Sequence, residues 1–223
     1  MSDLNKFSGI FFIVILVFSL TSYSQYTENK KDVAYKNIEF KEVRFYVEEG
    51  DTTFVQGILK ERTMIKGVPC IRNVSYYTKG ELKMFILAED FELNGHIMPK
   101  WTRVSYGKER TTIFFGRDTY YRGYCCNGNF EKWYSSGIFT TLYPDGNLRS
   151  FYPCKDIEID EIPCKASPFA GIELHTNGKL KTCTLSKKYI IEGKEYKKNT
   201  HIGFDKNGKL TRADKYVFWW VKA

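Results

Sequence analysis

The chain has 223 residues, six cysteines, and 34 basic against 26 acidic side chains, for a formal net charge of +8 at pH 7. Its 16 Tyr and 17 Phe, with frequent Thr, Val and Ile, favour strands over helices and suffice for one domain with a buried core. The basic residues are dispersed (Lys30-Lys31, Lys187-Lys188, Lys197-Lys198), as on a solvated sheet surface with weak attraction for anionic polymers or lipid, and not gathered as in a nucleic-acid-binding block.

Residues 1–24 read as a signal peptide. Lys6 precedes an apolar run from Ile10 to Phe18, and Ser22 and Ser24 occupy the small-residue positions before Gln25. That run is shorter than the about 20 residues a spanning helix needs, so no stable transmembrane span is expected after cleavage. The polar stretch 25–37 is expected to be a flexible N-terminal segment, with residues 38–223 forming a single all-β repeat domain. Ile38, Phe40, Val43, Phe45 and Val47 alternate except for a slip at Glu42, which is the mark of a bulge. Thr53 to Leu59 returns after the Glu48–Asp51 turn and completes a hairpin.

From there a spaced signature recurs. A large apolar residue is followed eight positions later by glycine at Leu59/Gly67, Leu87/Gly95, Phe115/Gly123 and Leu185/Gly193, while Pro153/Glu161 takes these places in another copy. Gly80, Gly146, Gly178 and Gly208 form a second series, each two residues before Leu82, Leu148, Leu180 or Leu210. Asn-Gly and Asp-Gly supply the positive φ that tight turns need, so these four glycines are expected in turns and the four leucines in the core. The stretch 86–93 (ILAEDFEL) is compatible with two helical turns, but its counterparts in other copies are strand-like and it is assigned to a strand. Asn127–Gly137 is an inserted loop, and Tyr216–Val221 a terminal apolar strand expected to dock on the sheet. The expected fold is all-β: consecutive antiparallel hairpins stacked into an elongated, twisted or solenoid-like sheet. A closed barrel around an apolar ligand remains the other arrangement.

At Leu142-Tyr143-Pro144-Asp145-Gly146-Asn147-Leu148, echoed in 174–180 and 204–210, the chain resembles the MORN-like repeats of bacterial exported proteins. The resemblance covers about Tyr76 to Leu210. It implies a sheet of hairpins serving as a scaffold or interaction surface, and transfers no catalytic residues. The units here are longer, and the glycine-rich return between them is irregular.

No Gly-x-Ser-x-Gly elbow, phosphate-binding glycine loop or His-Glu-x-x-His motif occurs. His96, His175 and His201 are not spaced as metal ligands, and no metal or cofactor is expected. Asp156, Glu158 and Asp160 alternate with Ile157 and Ile159 on one strand face; a carboxylate pair there would suit glycoside cleavage, though such alternation is also the ordinary wet side of a strand. Of the cysteines, Cys70, Cys126 and Cys164 hold one repeat position, making Cys126–Cys164 the candidate disulfide, against the reading that these are small buried hydrophobes. Aromatic pairs cannot place both rings in the core, so some rings must lie outward. Trp133, Tyr134, Tyr143 and Tyr152, around the irregular copy, are the candidate binding residues. The resulting expectation is an exported, non-enzymatic scaffold or binding protein of the bacterial envelope, whether periplasmic, outer-membrane-associated or extracellular. Its partner would be another envelope protein or a polysaccharide, and not nucleic acid; an envelope polysaccharide hydrolase is the alternative.

Overall fold

A computed structural model of the protein describes residues 26–48, 51–77, 80–128 and 138–215. The signal segment, most of the inserted loop with Trp133 and Tyr134, and the terminal apolar strand lie outside the described residues.

Strands β1 (Tyr26–Tyr35), β2 (Ile38–Glu48) and β3 (Asp51–Leu59) open a large sheet. A small hairpin, β4 (Thr63–Ile65) with β5 (Val68–Cys70), follows, and the chain re-enters the sheet as β6 (Asn73–Tyr77) and β7 (Leu82–Ile86). The alternation then repeats. Small hairpin β8 (Phe91–Leu93) and β9 (His96–Met98) leads to sheet strands β10 (Arg103–Tyr106) and β11 (Thr111–Phe114). Next come small β12 (Thr119–Tyr121) and β13 (Tyr124–Cys126), then β14 (Thr140–Leu142) and β15 (Leu148–Phe151) in the sheet. Small β16 (Ile157–Ile159) and β17 (Ile162–Cys164) precede β18 (Ile172–Leu174) and β19 (Leu180–Thr184). Small β20 (Tyr189–Ile191) and β21 (Lys194–Tyr196) precede β22 (Thr200–Phe204) and β23 (Leu210–Lys215).

The result is all-β: among the described residues there are one 13-stranded antiparallel sheet and five two-stranded hairpins. The sheet runs from β1 to β23 without the two ends meeting, so it is open and not a barrel. Both glycine series have a backbone cause. Gly67, Gly95, Gly123 and Gly193 sit at φ 76° to 85° at the tips of small hairpins, each preceded by a residue also at positive φ. Such paired positive angles make the turn whose twist matches its strands. Asp160 (φ 50°) and Glu161 (φ 66°) adopt the same turn without glycine. Gly80, Gly146, Gly178 and Gly208 (φ 81° to 90°) close hairpins of the large sheet, each next to a register shift. Leu148 and Leu180 are buried, while Leu82 and Leu210 are half-buried.

One face of the sheet and the small hairpins share a single core. Val74, Phe85, Val104, Ile113, Ile172 and Ile202 from the sheet pack with Ile65, Met98, Tyr121, Ile159 and Ile191 from the hairpins. A three-residue strand pair is not stable alone, so the small hairpins hold their shape by capping this face. Asp90, Asp118 and Asp156 clasp three of them at the base. Each carboxylate accepts the backbone N–H ten residues on, at Lys100 (2.8 Å), Gly128 (2.9 Å) and Ala166 (2.7 Å).

Two expectations change, and the bulge expected at Glu42 is present. Residues 26–35 are not a loose segment but β1, paired along its length with β2. Its side chains are mostly exposed on both faces, so it carries no apolar alternation by which a strand is recognised. The slip at Glu42 is a register shift between β2 and β3. Within 86–93 the strand assignment holds only at the ends, Ile86 and Phe91–Leu93, with a bend between.

The disulfide joins Cys125 to Cys154 across a separation of 29 residues, while Cys126 and Cys164 are buried free thiols. Equivalent positions of neighbouring units are two sheet strands apart, ~10 Å at the usual strand spacing, beyond the about 7 Å that a disulfide spans. Cys126 instead forms a bridge with Pro153, and Cys164 with Leu185. Cys125, pointing away from its neighbour Cys126, meets Cys154 beside that bridge.

Candidate functional site

On the face opposite the small hairpins, directly paired residues form a row that is short and hydroxyl-bearing except at Met84: Ser75, Met84, Ser105, Thr112, Thr141 and Ser150. Thr141 and Ser150 share a hydrogen bond of 2.6 Å. Two residues further along each strand, on the same face, stand large side chains. The Arg103 guanidinium lies 3.9 Å from the centre of the Phe114 ring. Phe114 contacts Phe139 (5.6 Å between centroids), and Phe139 contacts Tyr152 edge-on (6.4 Å). The arrangement is a shelf: a low hydroxyl-bearing floor bounded by an Arg-Phe-Phe-Tyr ladder that crosses four strands. Gly171 makes it possible, because a side chain there would begin 3.3 Å from Tyr152 Cζ. Burial holds the Arg103 pKa below its ordinary value, in keeping with a guanidinium packed over a ring.

Tyr152 therefore belongs to an outward aromatic surface, whereas Tyr143 does not join it. Tyr143 sits at the opposite end of β15, where its hydroxyl donates to the carbonyl of Leu174 at 2.8 Å. Arg103, Phe114 and Phe139 were not singled out by sequence. They fall two residues from Ser105, Thr112 and Thr141, and only the register brings them together. The three aspartate clasps carried a readable signal, since each lies five positions before a hairpin-tip marker.

The carboxylates of β16 are committed elsewhere. Asp156 holds the Ala166 N–H, Asp160 accepts the N–H of Leu180 at 2.7 Å, and Glu158 points to solvent. Among the described residues no three His, Cys, Asp or Glu side chains group as metal ligands. His175 donates its Nε2–H to the carbonyl of Phe204 at 2.9 Å, and His201 Nδ1 lies 3.4 Å from Thr184 Oγ1.

On the core side, a cavity of about 230 Å³ opens between β10–β11 and the tip of the β8–β9 hairpin. Tyr106 and Tyr121 are among its walls, and burial raises the pKa of both phenols, with their mutual proximity adding to the effect at Tyr106. Asn94 and the Tyr143–Gly146 turn stand at its rim.

Comparison with protein-family models, curated proteins and solved structures finds no match to this chain.

Proposed function

We propose that this chain is an exported, non-enzymatic binding protein of the bacterial envelope, built as a MORN-like hairpin array, that holds a polysaccharide on the outer face of its sheet. The observation that carries the reading is the Arg103–Phe114–Phe139–Tyr152 ladder beside the Ser/Thr floor. A sugar ring has an apolar C–H face and a rim of hydroxyls; aromatic side chains serve the first and Ser, Thr and Arg the second. A ladder built on paired strands is rigid, which lowers the ordering cost of holding a flexible polymer. The Cys125–Cys154 disulfide supports an oxidising compartment, as expected after export. Capping of backbone N–H groups by Asp156 and Asp160 supports a structural role for the carboxylates, so the hydrolase alternative draws no observation in its favour.

The test is retention of the mature chain on purified envelope polysaccharide, with Phe114→Ala and Tyr152→Ala as variants. Loss of one ring is expected to weaken binding by about 3- to 10-fold, with the fold intact by circular dichroism. Retention unchanged by either substitution overturns the assignment of the site. Capture of a protein from envelope extracts with no affinity for polysaccharide overturns the ligand class.

A further inference from the structure

At the five turns of the large sheet from β6 onward, the last core-side paired residue of one strand faces the first of the next. In four hairpins that pair ends in leucine: Tyr76–Leu82, Leu142–Leu148, Leu174–Leu180 and Phe204–Leu210. In the fifth, β10–β11, the pair is Tyr106–Thr111. The turn differs as well. The four leucine hairpins each carry a register shift at a positive-φ glycine, whereas Gly107 and Arg110 close a two-residue turn through an N–H···O bond of 2.9 Å.

A second irregularity falls in the same unit. In the other units a tip residue of the small hairpin reaches the neighbouring large turn. Asp160 and Glu192 accept the N–H groups of Leu180 and Leu210 (2.7 and 3.0 Å). Lys66 Nζ comes within 3.2 Å, and Arg122 within 3.9 Å, of where side chains on Gly80 and Gly146 would begin. The corresponding Asn94 stands at the rim of the 230 Å³ cavity. The void coincides with the exchange of leucine for threonine at this turn, beside a tip residue that lines the space. Close-packed interiors do not normally leave such space unfilled.

We propose that this cavity is a binding site for a compact aromatic molecule of about ten heavy atoms carrying one hydroxyl or ring N–H, the size and chemistry of a simple phenol or indole. The volume sets the size: a cavity of ~150 Å³ admits benzene, and drug-sized ligands take ~300 Å³ or more. The walls set the ring character. Tyr106 contacts Phe85 (6.1 Å between centroids), and Tyr121 contacts both Phe115 (5.9 Å) and His96 (4.5 Å), leaving an aromatic lining suited to edge-to-face contact. The single polar group follows from Tyr106 and Thr111, which carry hydroxyls and line the cavity together with the apolar Leu93, Met98, Val104, Ile113 and Leu142. The site is on the core side of the sheet and independent of the polysaccharide shelf.

The probes are p-cresol, indole and toluene, followed by calorimetry and by ligand-induced rise in melting temperature on the mature chain. Saturable binding of p-cresol and indole up to millimolar concentration is expected, with toluene weaker. Thr111→Leu, which restores the residue of the other four hairpins, is expected to lower p-cresol affinity at least about 10-fold without lowering the melting temperature of the free protein. Thr111→Val keeps the shape and removes the hydroxyl; p-cresol binding falls while toluene binding does not. No saturable binding by any probe, or binding unchanged in Thr111→Leu, overturns the proposal. Polysaccharide retention by Thr111→Leu should equal that of the parent chain, which separates this site from the outer shelf.

Discussion

The carboxylate of Asp160, at the tip of a three-residue hairpin, accepts the backbone N–H of Leu180, twenty residues on, at 2.7 Å. That contact ties a small hairpin to the turn of the next large one and satisfies an N–H beside a register shift, where the sheet ladder does not. It also occupies a residue at φ 50°, a conformation that Asp and Asn tolerate better than other side chains.

Asp160→Asn keeps an acceptor and the tolerance for this φ, and should cost well under 1 kcal/mol. Asp160→Ala removes the acceptor and adds backbone strain, and should cost about 2–3 kcal/mol. Urea midpoints of the two variants check the order. Equal midpoints would show that the hydrogen bond contributes nothing.

Denatured, unreduced protein should titrate four thiols, those of Cys70, Cys126, Cys164 and Cys183. Cys125→Ser should abolish the crosslinked peptide in a mass map, and Cys126→Ser should leave it. Closing a loop of 29 residues stabilises by on the order of 3–4 kcal/mol, so Cys125→Ser with Cys154→Ser should lower the melting temperature by on the order of 10 °C. In the native state Cys70 and Cys126 should react slowly with thiol reagents, because burial pushes both pKa values up to about 12. Hydrogen bonding with Cys183, followed by burial, moves Cys164 in the same direction.

Stability should decline when pH falls from 7 toward 5. Burial, then the positive Arg212, holds the His201 pKa below its unfolded value of 6.5, while Asp214 and Glu173 oppose the shift. As pH drops through 6.5 the unfolded chain takes up a proton that the folded chain resists, so stability is lost over the window from 6.5 down to the folded pKa. The Asp90 and Asp205 pKa values are also lowered, chiefly through backbone N–H bonds, and their contribution is lost only as pH falls below about 3.8. His201→Gln should therefore flatten the melting-temperature profile between pH 7 and 5 while leaving the acid limb. An unchanged slope in that variant would assign the effect to another group.

The architecture was legible because its devices are local. Gly146, Gly178 and Gly208 announce turns by residue type, and the spacing of Gly67, Gly95, Gly123 and Gly193 announces a unit. β1 was not legible, because an edge strand wet on both faces has no alternation to display. Nor was the disulfide: repeat equivalence places Cys126 and Cys164 in register, but each unit contributes two strands to the sheet, and that doubling separates them. The shelf was half legible. Tyr152 stands out as an aromatic beside the irregular copy, but Arg103, Phe114 and Phe139 meet it only through strand pairing across units. The cavity lies in a comparison of aligned pairs, where Thr111 is conspicuous only once four leucines are seen to face the same way.

Every strand of the large sheet pairs with the sheet strands immediately before and after it in the chain. No pairing has to wait for a distant segment, so the entropic cost of loop closure is met in small equal steps. Such a sheet zips, and its folding rate should resemble that of a repeat array more than that of a Greek-key sandwich of equal length. The same connectivity makes the molecule extensible. Removing one block from Leu87 to Phe114 would shorten the sheet by two strands and bring like edges together, whereas the same excision from a cross-connected fold would leave no native pairing behind.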